Sequence, residues 1–284
     1  MKRLIFGCGY LGRRVAEHWK NLGDSVHACT RNSATADQFE GNGLLPIVAD
    51  ITDRSSLTDL PETDSVLFSV GMDRSRYDDI RDVYVKGLQN VLDSLHRNIK
   101  QFIYISSTGV YGNFDGQWVD ESAVTEPRRD GGKACLEAEQ LLQTSWLSDR
   151  LVILRFSGIY GPGRIPTQAT IASKNWDRLS GQGYLNLIQV DDGAKSVALI
   201  ANQPKFETFH ISDGNPVIRK TYYDEVAKLL GSEPIPWTDE TADPTKRGAV
   251  NKRISNAKFV SHYPNFNFDF PDYRTGLRHA METN

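Results

Sequence analysis

The 284-residue chain has only three cysteines, Cys8, Cys29 and Cys135. So few thiols, odd in number, exclude a disulfide-stapled scaffold and suit a reducing cytoplasm. No apolar run approaches the roughly 18 residues that a membrane helix needs. Met1-Lys2-Arg3 leads through Leu4-Ile5-Phe6 straight into glycine, too short a stretch for the apolar core of a secretory signal. An excess of one charge is missing as well. The 33 basic residues stand against 36 acidic ones, for a formal net charge of −3, so no electrostatic case exists for nucleic acid or a membrane surface. The histidines, at 18, 27, 96, 210, 262 and 279, show no metal-ligand spacing, and no metal is expected. There is no internal repeat and no low-complexity tract. What these absences leave is a cytoplasmic globular protein that is long enough to bury its own core and handles small molecules.

The first half alternates short apolar runs with helical patterns. Leu4–Phe6, Val26–Cys29, Leu45–Ala49, Val66–Val70, Phe102–Ile105 and Leu151–Leu154 read as strands. Leu11, Val15, Trp19 and Leu22 recur at helical spacing, and Gly23 ends that helix. A longer helix is expected from about Ile80 to Leu95, and another over Leu136–Leu142. This alternation predicts an α/β, Rossmann-type, doubly wound parallel sheet. After about Gly161 the elements shorten. Helices are expected at Asp191–Ala201 and Arg219–Leu230, with a proline-rich loop from Pro234 to Arg247. The division expected is a dinucleotide-binding region over 1–160, whose sheet also receives a later strand near 206–211, and a smaller α/β substrate region over 161–284 that closes over it. Ligands of such sheets bind at the carboxyl ends of the strands.

Gly7-Cys8-Gly9-Tyr10-Leu11-Gly12 sits in the context that gives a G-x-G-x-x-G run its meaning, after a strand and opening a helix. Gly7 permits the tight turn, Gly9 lets the backbone approach a pyrophosphate, and Gly12 lets helix and strand pack closely. Free N–H groups and the helix dipole favour the anion there. The loop therefore predicts a bound nicotinamide dinucleotide. An NAD site carries Asp or Glu about 20 residues further on, bonding the ribose hydroxyls. Here the run is Thr30-Arg31-Asn32, with no carboxylate. A guanidinium binds a 2′-phosphate that a carboxylate would repel, so NADP(H) is favoured over NAD(H), although a solvated loop charge is the plainer reading of Arg31. Asp50 lies just after the third strand. It would accept the adenine amino group while Ile51 packs on the ring, or form an Asx turn near Thr52. Ser69-Val70-Gly71 ends the fourth strand, where a small backbone can pass the cofactor's phosphates and ribose.

Later segments resemble the extended short-chain dehydrogenase/reductases, the NAD-dependent epimerase/dehydratase group, over nearly the whole chain. Tyr104-Ile105-Ser106-Ser107-Thr108-Gly109-Val110-Tyr111-Gly112 is similar to that group's fifth strand and active-site loop. Arg155-Phe156-Ser157-Gly158-Ile159-Tyr160-Gly161-Pro162-Gly163-Arg164 resembles its sixth-strand signature. Asn186 to Asp192 is similar to its "I-H-V-D-D" segment, with Gln189 in the histidine position, and Phe209 to Gly214 resembles the strand before its C-terminal helix. The resemblance implies a tetrad of Asn, Ser or Thr, Tyr and Lys. Ser107 falls on the Ser and Lys133 on the Lys, which also holds the nicotinamide ribose. The Tyr position is Arg129 and the Asn position is Tyr84. Phe156 is implied on the cofactor side, and Ser107, Thr108, Arg129 and Arg164 toward substrate. Arginine stays protonated and cannot be the general acid/base. Tyr84 and Tyr111 are the candidate replacement phenols, and a water or the substrate is the other proton source. The Gly131-Gly132 pair reads as a loosened helix start.

Among other residues, Cys8 reads as a small side chain that fits the phosphate loop. Cys135 beside Lys133 reads as a packed thiol or as one of lowered pKa. Asp120-Glu121 reads as solvated loop. Arg164, Arg247 and Arg253 are candidates to reach a substrate phosphate, each against the plainer reading of a surface charge. Tyr77, Tyr84 and the helix after them are the candidate face of a homodimer. Two functions follow. One is an oxidoreductase or epimerase-like enzyme acting on a sugar nucleotide or other polar carbonyl or alcohol, with an incomplete tetrad. The other is a non-catalytic NADP(H)-binding or redox-sensing protein.

Overall fold

The structure, a computed structural model, describes residues 1–73, 75–77, 79–237 and 250–283. Most of the expected proline-rich loop, Arg247 included, lies outside the described residues.

The apolar run Leu4-Ile5-Phe6 is fully buried and forms β1 (Lys2–Phe6). A strand apolar on both faces belongs in the middle of a parallel sheet. β1 is indeed flanked on one side by β2 (Ser25–Thr30) and on the other by β4 (Ser65–Phe68), with β3 (Leu45–Val48) beyond β2. β5 (Gln101–Ser107), β6 (Leu151–Phe156) and β7 (Thr208–Ile211) complete a seven-stranded parallel sheet in the order β7-β6-β5-β4-β1-β2-β3. The late strand expected near 206–211 is β7. The registers Phe6↔Cys29 and Phe6↔Phe68 put the end of β1 level with β2 and β4. The chain order reverses at this point, which is where doubly wound sheets bind ligands.

Two compact units divide the chain. One comprises 1–110, 125–155 and 194–209, the other 111–124, 156–193 and 210–284. The expected division falls after residue 160, with the later strand near 206–211 returned to the first region's sheet. The units interleave along the chain: 111–124 belongs to the second unit, and 194–209, which carries the first half of β7, to the first.

In the first unit, α1 (Gly12–Asn21) buries Val15, Ala16 and Trp19, and Gly23 turns the chain out of it with φ +82°. A short helix, α2 (Ser33–Gly41), was not expected. It buries only Ala36 and Phe39, too few for a visible periodicity, and Asn32 N-caps it by accepting from Ala34 N at 2.8 Å. The long helix expected over 80–95 is a π-helical turn, Asp82–Lys86, running into α3 (Gly87–Ser94). α4 (Asp130–Gln143) starts earlier than its apolar residues suggested. Phe68 lies 6.0–6.5 Å from the rings of Phe6, Phe102 and Tyr104 on neighbouring strands, and Leu88, Val91, Leu92, Ala138 and Leu142 from α3 and α4 join the same core.

In the second unit, α5 (Val190–Asn202), α6 (Arg219–Leu229) and α7 (Tyr273–Glu282) are the principal helices; α5 continues into the first unit from residue 194. Its core gathers Tyr160, Ile165, Leu187, Tyr222, Val226, Tyr273 and Leu277. Short strands Gly158–Tyr160 and Leu187–Gln189 pair in parallel beside it.

Candidate cofactor and active site

The glycine loop separates into positions the protein requires and one it does not. Gly7 has φ +82°, and a Cβ there would lie 2.5 Å from the Ser69 carbonyl and 2.6 Å from Val70 N. A Cβ on Gly12 would lie 2.6 Å from Gly7 O. Ser69 Oγ ties the loop to β4 by donating to Gly7 O at 3.0 Å and to Phe6 O at 3.2 Å. Gly9 N donates to Gly7 O at 2.8 Å, closing the turn. A Cβ on Gly9, by contrast, would meet no protein atom within 4 Å. Nothing in the fold demands glycine there, whereas a pyrophosphate pressed on the backbone does. The start of α1 has no side-chain cap and no acidic residue in its first turn, so its N–H groups and dipole suit an anion. The residues present fit a dinucleotide.

Cys8, in that loop, is buried, and burial pushes its thiol up to about 12. Tyr10 is half-buried with the Arg14 guanidinium 4.7 Å from its ring, and Leu11 is buried. Val70 is half-buried against the core, and Gly71 is exposed.

At the end of β2, Arg31 donates from Nη2 to Asp73 Oδ2 and from Nη1 to Tyr77 OH, each at 3.1 Å. Tyr77 OH in turn donates to Asp50 Oδ2 at 2.9 Å, and Arg76 Nη2 lies 3.3 Å from the same oxygen. Asp50 Oδ1 accepts from Thr52 N at 2.9 Å and Thr52 Oγ1 at 2.7 Å, which is the Asx turn. Burial alone would raise the Asp50 pKa, but Thr52, Tyr77 and Arg31 together hold it below the usual carboxylate range. Ile51 is 7% exposed and faces inward, where a Cβ on Gly87 would lie 2.7 Å from its Cδ1. Its side chain is thus committed to the core rather than presented to an adenine ring. Sequence reasoning missed Asp73 and Arg76 and read Tyr77 only as a candidate dimer contact, because these residues lie on a loop with no periodicity and reach β2 and β3 only through the fold.

Ser107 ends β5, and its Oγ accepts from Gly109 N at 3.0 Å in a 3-10 turn that buries Thr108. Lys133 and Arg129 are both exposed at the start of α4, where Arg129 occupies the N-cap without a side-chain hydrogen bond to the helix. Lys133 Nζ lies 3.4 Å from Asp130 Oδ1, one turn back. Gly132 brings the two elements together. A Cβ on it would overlap Gly109 O and lie 2.9 Å from both Gly109 C and Pro127 Cβ. The expectation that Gly131-Gly132 loosens this region is therefore corrected, because Gly132 is the residue that allows α4 to seat on the Ser107 turn. A Cβ on Gly131 would reach only Ile80 Cδ1, at an ordinary 3.7 Å.

Cys135 is buried, and desolvation, reinforced by Glu139, pushes its thiol up to about 12, so the lowered pKa considered for it is overturned. Beneath the site, Glu139 is 1% exposed. It receives Ser106 Oγ at 2.5 Å and both Arg155 Nε and Nη2, at 3.0 and 2.7 Å.

The candidate phenols part company. Tyr84 sits on the π-helical turn, half-buried against the core, and Tyr77 is turned toward Asp50, so the two tyrosines named for a dimer face are directed into the first unit. Tyr111 belongs to the second unit. It is 1% exposed, and its OH lies 2.7 Å from His210 Nε2, while His210 Nδ1 lies 2.9 Å from Ser255 O. Ser255 O can only accept, so Nδ1 carries a proton and donates to it. Tyr111 is thus a buried phenol paired with a histidine inside its own unit. Glu121, read as solvated loop, is half-buried in the same unit, its side chain 8% exposed, and accepts from His210 N at 2.7 Å. Phe156 is buried, Arg164 is exposed beside a backbone bridge to Gly161, and Arg253 lies between the rings of Trp118 and Tyr184 at 5.1 and 5.3 Å. Among the described residues no three His, Cys, Asp or Glu side chains could hold a metal ion, and no helix is long and apolar enough to cross a membrane.

Known proteins share this fold. The chain is similar over 99% of its length to a candidate NAD-dependent epimerase/dehydratase from Methylobacillus flagellatus, covering 97% of that chain at 28% identity and a TM-score of 0.78. It shares its fold with the Thermus thermophilus UDP-glucose 4-epimerase in complex with NAD, at 18% identity, TM-score 0.80 and coverage of 100% and 98% of the two chains. The same holds for the Bacillus anthracis dTDP-glucose 4,6-dehydratase in complex with NAD, at 13% identity, TM-score 0.78 and coverage of 100% and 96%. No curated protein sequence matches it. The model of the NAD dependent epimerase/dehydratase family matches residues 4–212, and the chain belongs to that family.

Proposed function

We propose that this protein is an NADP(H)-dependent oxidoreductase or epimerase-like enzyme acting on a sugar nucleotide or another polar carbonyl or alcohol. The observation that carries the enzymatic reading is the backbone contact of Gly132 with Gly109, which sets the start of the Lys133 helix on the Ser107 turn. Gly7 to Gly12, Ser69 and Lys133 would hold the cofactor, with Arg31 on its 2′-phosphate, and the bound cofactor would supply hydride transfer. The Ser107 hydroxyl binds the reacting oxygen. Lys133 holds the ribose and adds positive charge beside that oxygen. Arg129, permanently charged, binds an anionic group of the substrate instead of moving a proton. Tyr84 or a water supplies the proton. The sugar-nucleotide class is supported by the likeness to UDP-glucose 4-epimerase and dTDP-glucose 4,6-dehydratase.

The arginine in the Tyr position favours a second reading, a non-catalytic NADP(H) binder that senses the redox state. Single-turnover hydride transfer over a panel of sugar nucleotides and simpler carbonyls separates the two. Turnover by the wild type that collapses in Lys133→Ala supports the enzyme. No turnover, with cofactor affinity unchanged in Lys133→Ala, removes it. Activity that appears only in Arg129→Tyr identifies the natural protein as the binder.

A further inference from the structure

We propose that Asp73 determines how strongly this protein discriminates NADP(H) from NAD(H), because its carboxylate occupies on Arg31 the place of the cofactor's 2′-phosphate and must be displaced by it. The inference rests on the reading of Arg31 as the phosphate ligand. It goes beyond that reading, because Asp73 lies on the loop after β4, remote in sequence from the β2 end that sets cofactor choice in such folds.

The geometry divides the two oxygens of Asp73. Oδ1 is used within its own loop, accepting from Ser75 Oγ at 2.6 Å and Ser75 N at 3.1 Å. Oδ2 alone faces Arg31, at 3.1 Å from Nη2. The second arm of the guanidinium is held by Tyr77 OH, and Arg31 Cζ lies 5.6 Å from the Tyr77 ring centre. Arg31 is thus oriented by Tyr77 and satisfied by a single carboxylate oxygen. A phosphate carries more charge than a carboxylate and takes a guanidinium bidentately. The Arg31 and Asp73 side chains are 35% and 40% exposed, so water screens their pair and the exchange costs little. NAD(H), with hydroxyls in place of the phosphate, has nothing to gain by it. The second carboxylate of the cluster, Asp50, acts on Arg31 only through space and makes its own contacts with Arg76 and Tyr77, so Asp73 is the carboxylate in direct contact with the guanidinium that a 2′-phosphate would meet.

Titration calorimetry with NADP+ and NAD+ tests this on the wild type, Asp73→Asn, Arg31→Ala and the double variant. Asparagine keeps the Oδ1 acceptor for Ser75. Asp73→Asn is expected to bind NADP+ roughly fivefold more tightly, the scale of one exposed charge pair, with NAD+ changed less than twofold. The gain shrinks as salt is added and vanishes in the double variant, since without Arg31 there is no shared site to contest. Asp73→Ser, which also drops the charge, gives the same ordering. If Arg31→Ala weakens NADP+ but Asp73→Asn and Asp73→Ser leave it unchanged, the role of Asp73 is overturned while Arg31 stands. If Asp73→Asn weakens NAD+, Asp73 is a ribose ligand and the proposal fails. If Arg31→Ala leaves the ratio of the two affinities intact, the underlying reading of Arg31 fails, and this inference with it.

Discussion

Gly132 lies so close to the carbonyl of Gly109 that a methyl group at position 132 would overlap the Gly109 oxygen. Both partners are backbone, and neither can give way without moving the start of α4 or the turn that follows Ser107. Gly132→Ala is expected to destabilise the protein by about 1–3 kcal/mol, the range of overpacking in a filled site. Gly131→Ala, one residue away, meets only Ile80 Cδ1 at 3.7 Å. It is expected to be neutral or to stabilise by up to about 1 kcal/mol, because alanine restricts the unfolded chain. Urea unfolding of the two variants checks this. Equal effects would show that Gly132 is a helix-propensity position and not a packing one.

A similar contrast runs through the glycine loop. Gly9→Ala is expected to fold and melt like the wild type, since its Cβ would meet no protein atom within 4 Å. It should lose about tenfold or more in affinity for the dinucleotide, because that Cβ would stand where the pyrophosphate approaches. Gly7→Ala, forced against Ser69 and Val70 with φ at +82°, is expected to lose stability first and binding as a consequence. Thermal melts paired with calorimetry separate the two. A Gly9→Ala variant that binds normally would remove the pyrophosphate from this loop.

The sheet strands, the glycine loop and the family signatures were legible because each is written in contiguous residues, as an apolar run, a spacing or a motif. α2 was not legible because Ala36 and Phe39 alone carry its buried face. The π-helical turn at Asp82–Lys86 was read as ordinary helix because its apolar spacing differs too little from 3.6. Gly131-Gly132 was misread for a different reason. Composition tells that a glycine is tolerated, while the Gly109 carbonyl that requires it is more than 20 residues away in sequence. The same distance hid Asp73 and Tyr77 from Arg31, and His210 from Tyr111.

The Arg155–Glu139 pair is almost wholly buried, at 8% and 1% side-chain exposure, and it receives Ser106 of the strand that ends in Ser107. Removing one member strands the other charge in a dry site. Arg155→Met is expected to cost about 3–5 kcal/mol, and the double variant Arg155→Met/Glu139→Leu appreciably less, because two apolar side chains leave no uncompensated ion. Urea midpoints of both variants decide it. Costs that simply add would mean that the pair is not coupled.

Asp213, just past β7, is 5% exposed, and among the described residues its Oδ2 has no hydrogen-bond partner, while Oδ1 accepts from Asn215 N at 2.9 Å. Burial pushes its carboxyl up to about 8. The Asn215 N–H opposes the shift, and the charges of Asp272 and Asp192 add to it. In the unfolded chain the same group titrates near 4. Between these values the folded protein keeps a proton that the unfolded chain has released, so its contribution to stability is greatest below about pH 4 and is lost as the pH rises toward 8. In that window the loss is at most about 1.4 kcal/mol per pH unit, and above it the contribution is flat. Asp213→Asn keeps the Oδ1 acceptor and cannot ionise. Urea unfolding of the wild type and Asp213→Asn between pH 5 and 9 is therefore expected to show the stability of the wild type falling relative to the variant up to about pH 8 and running parallel to it beyond. Curves that stay parallel throughout would mean that Asp213 is ionised in the folded protein. The buried hydroxyl of Tyr160, which also lacks a hydrogen-bond partner among the described residues, would then be the candidate donor to it.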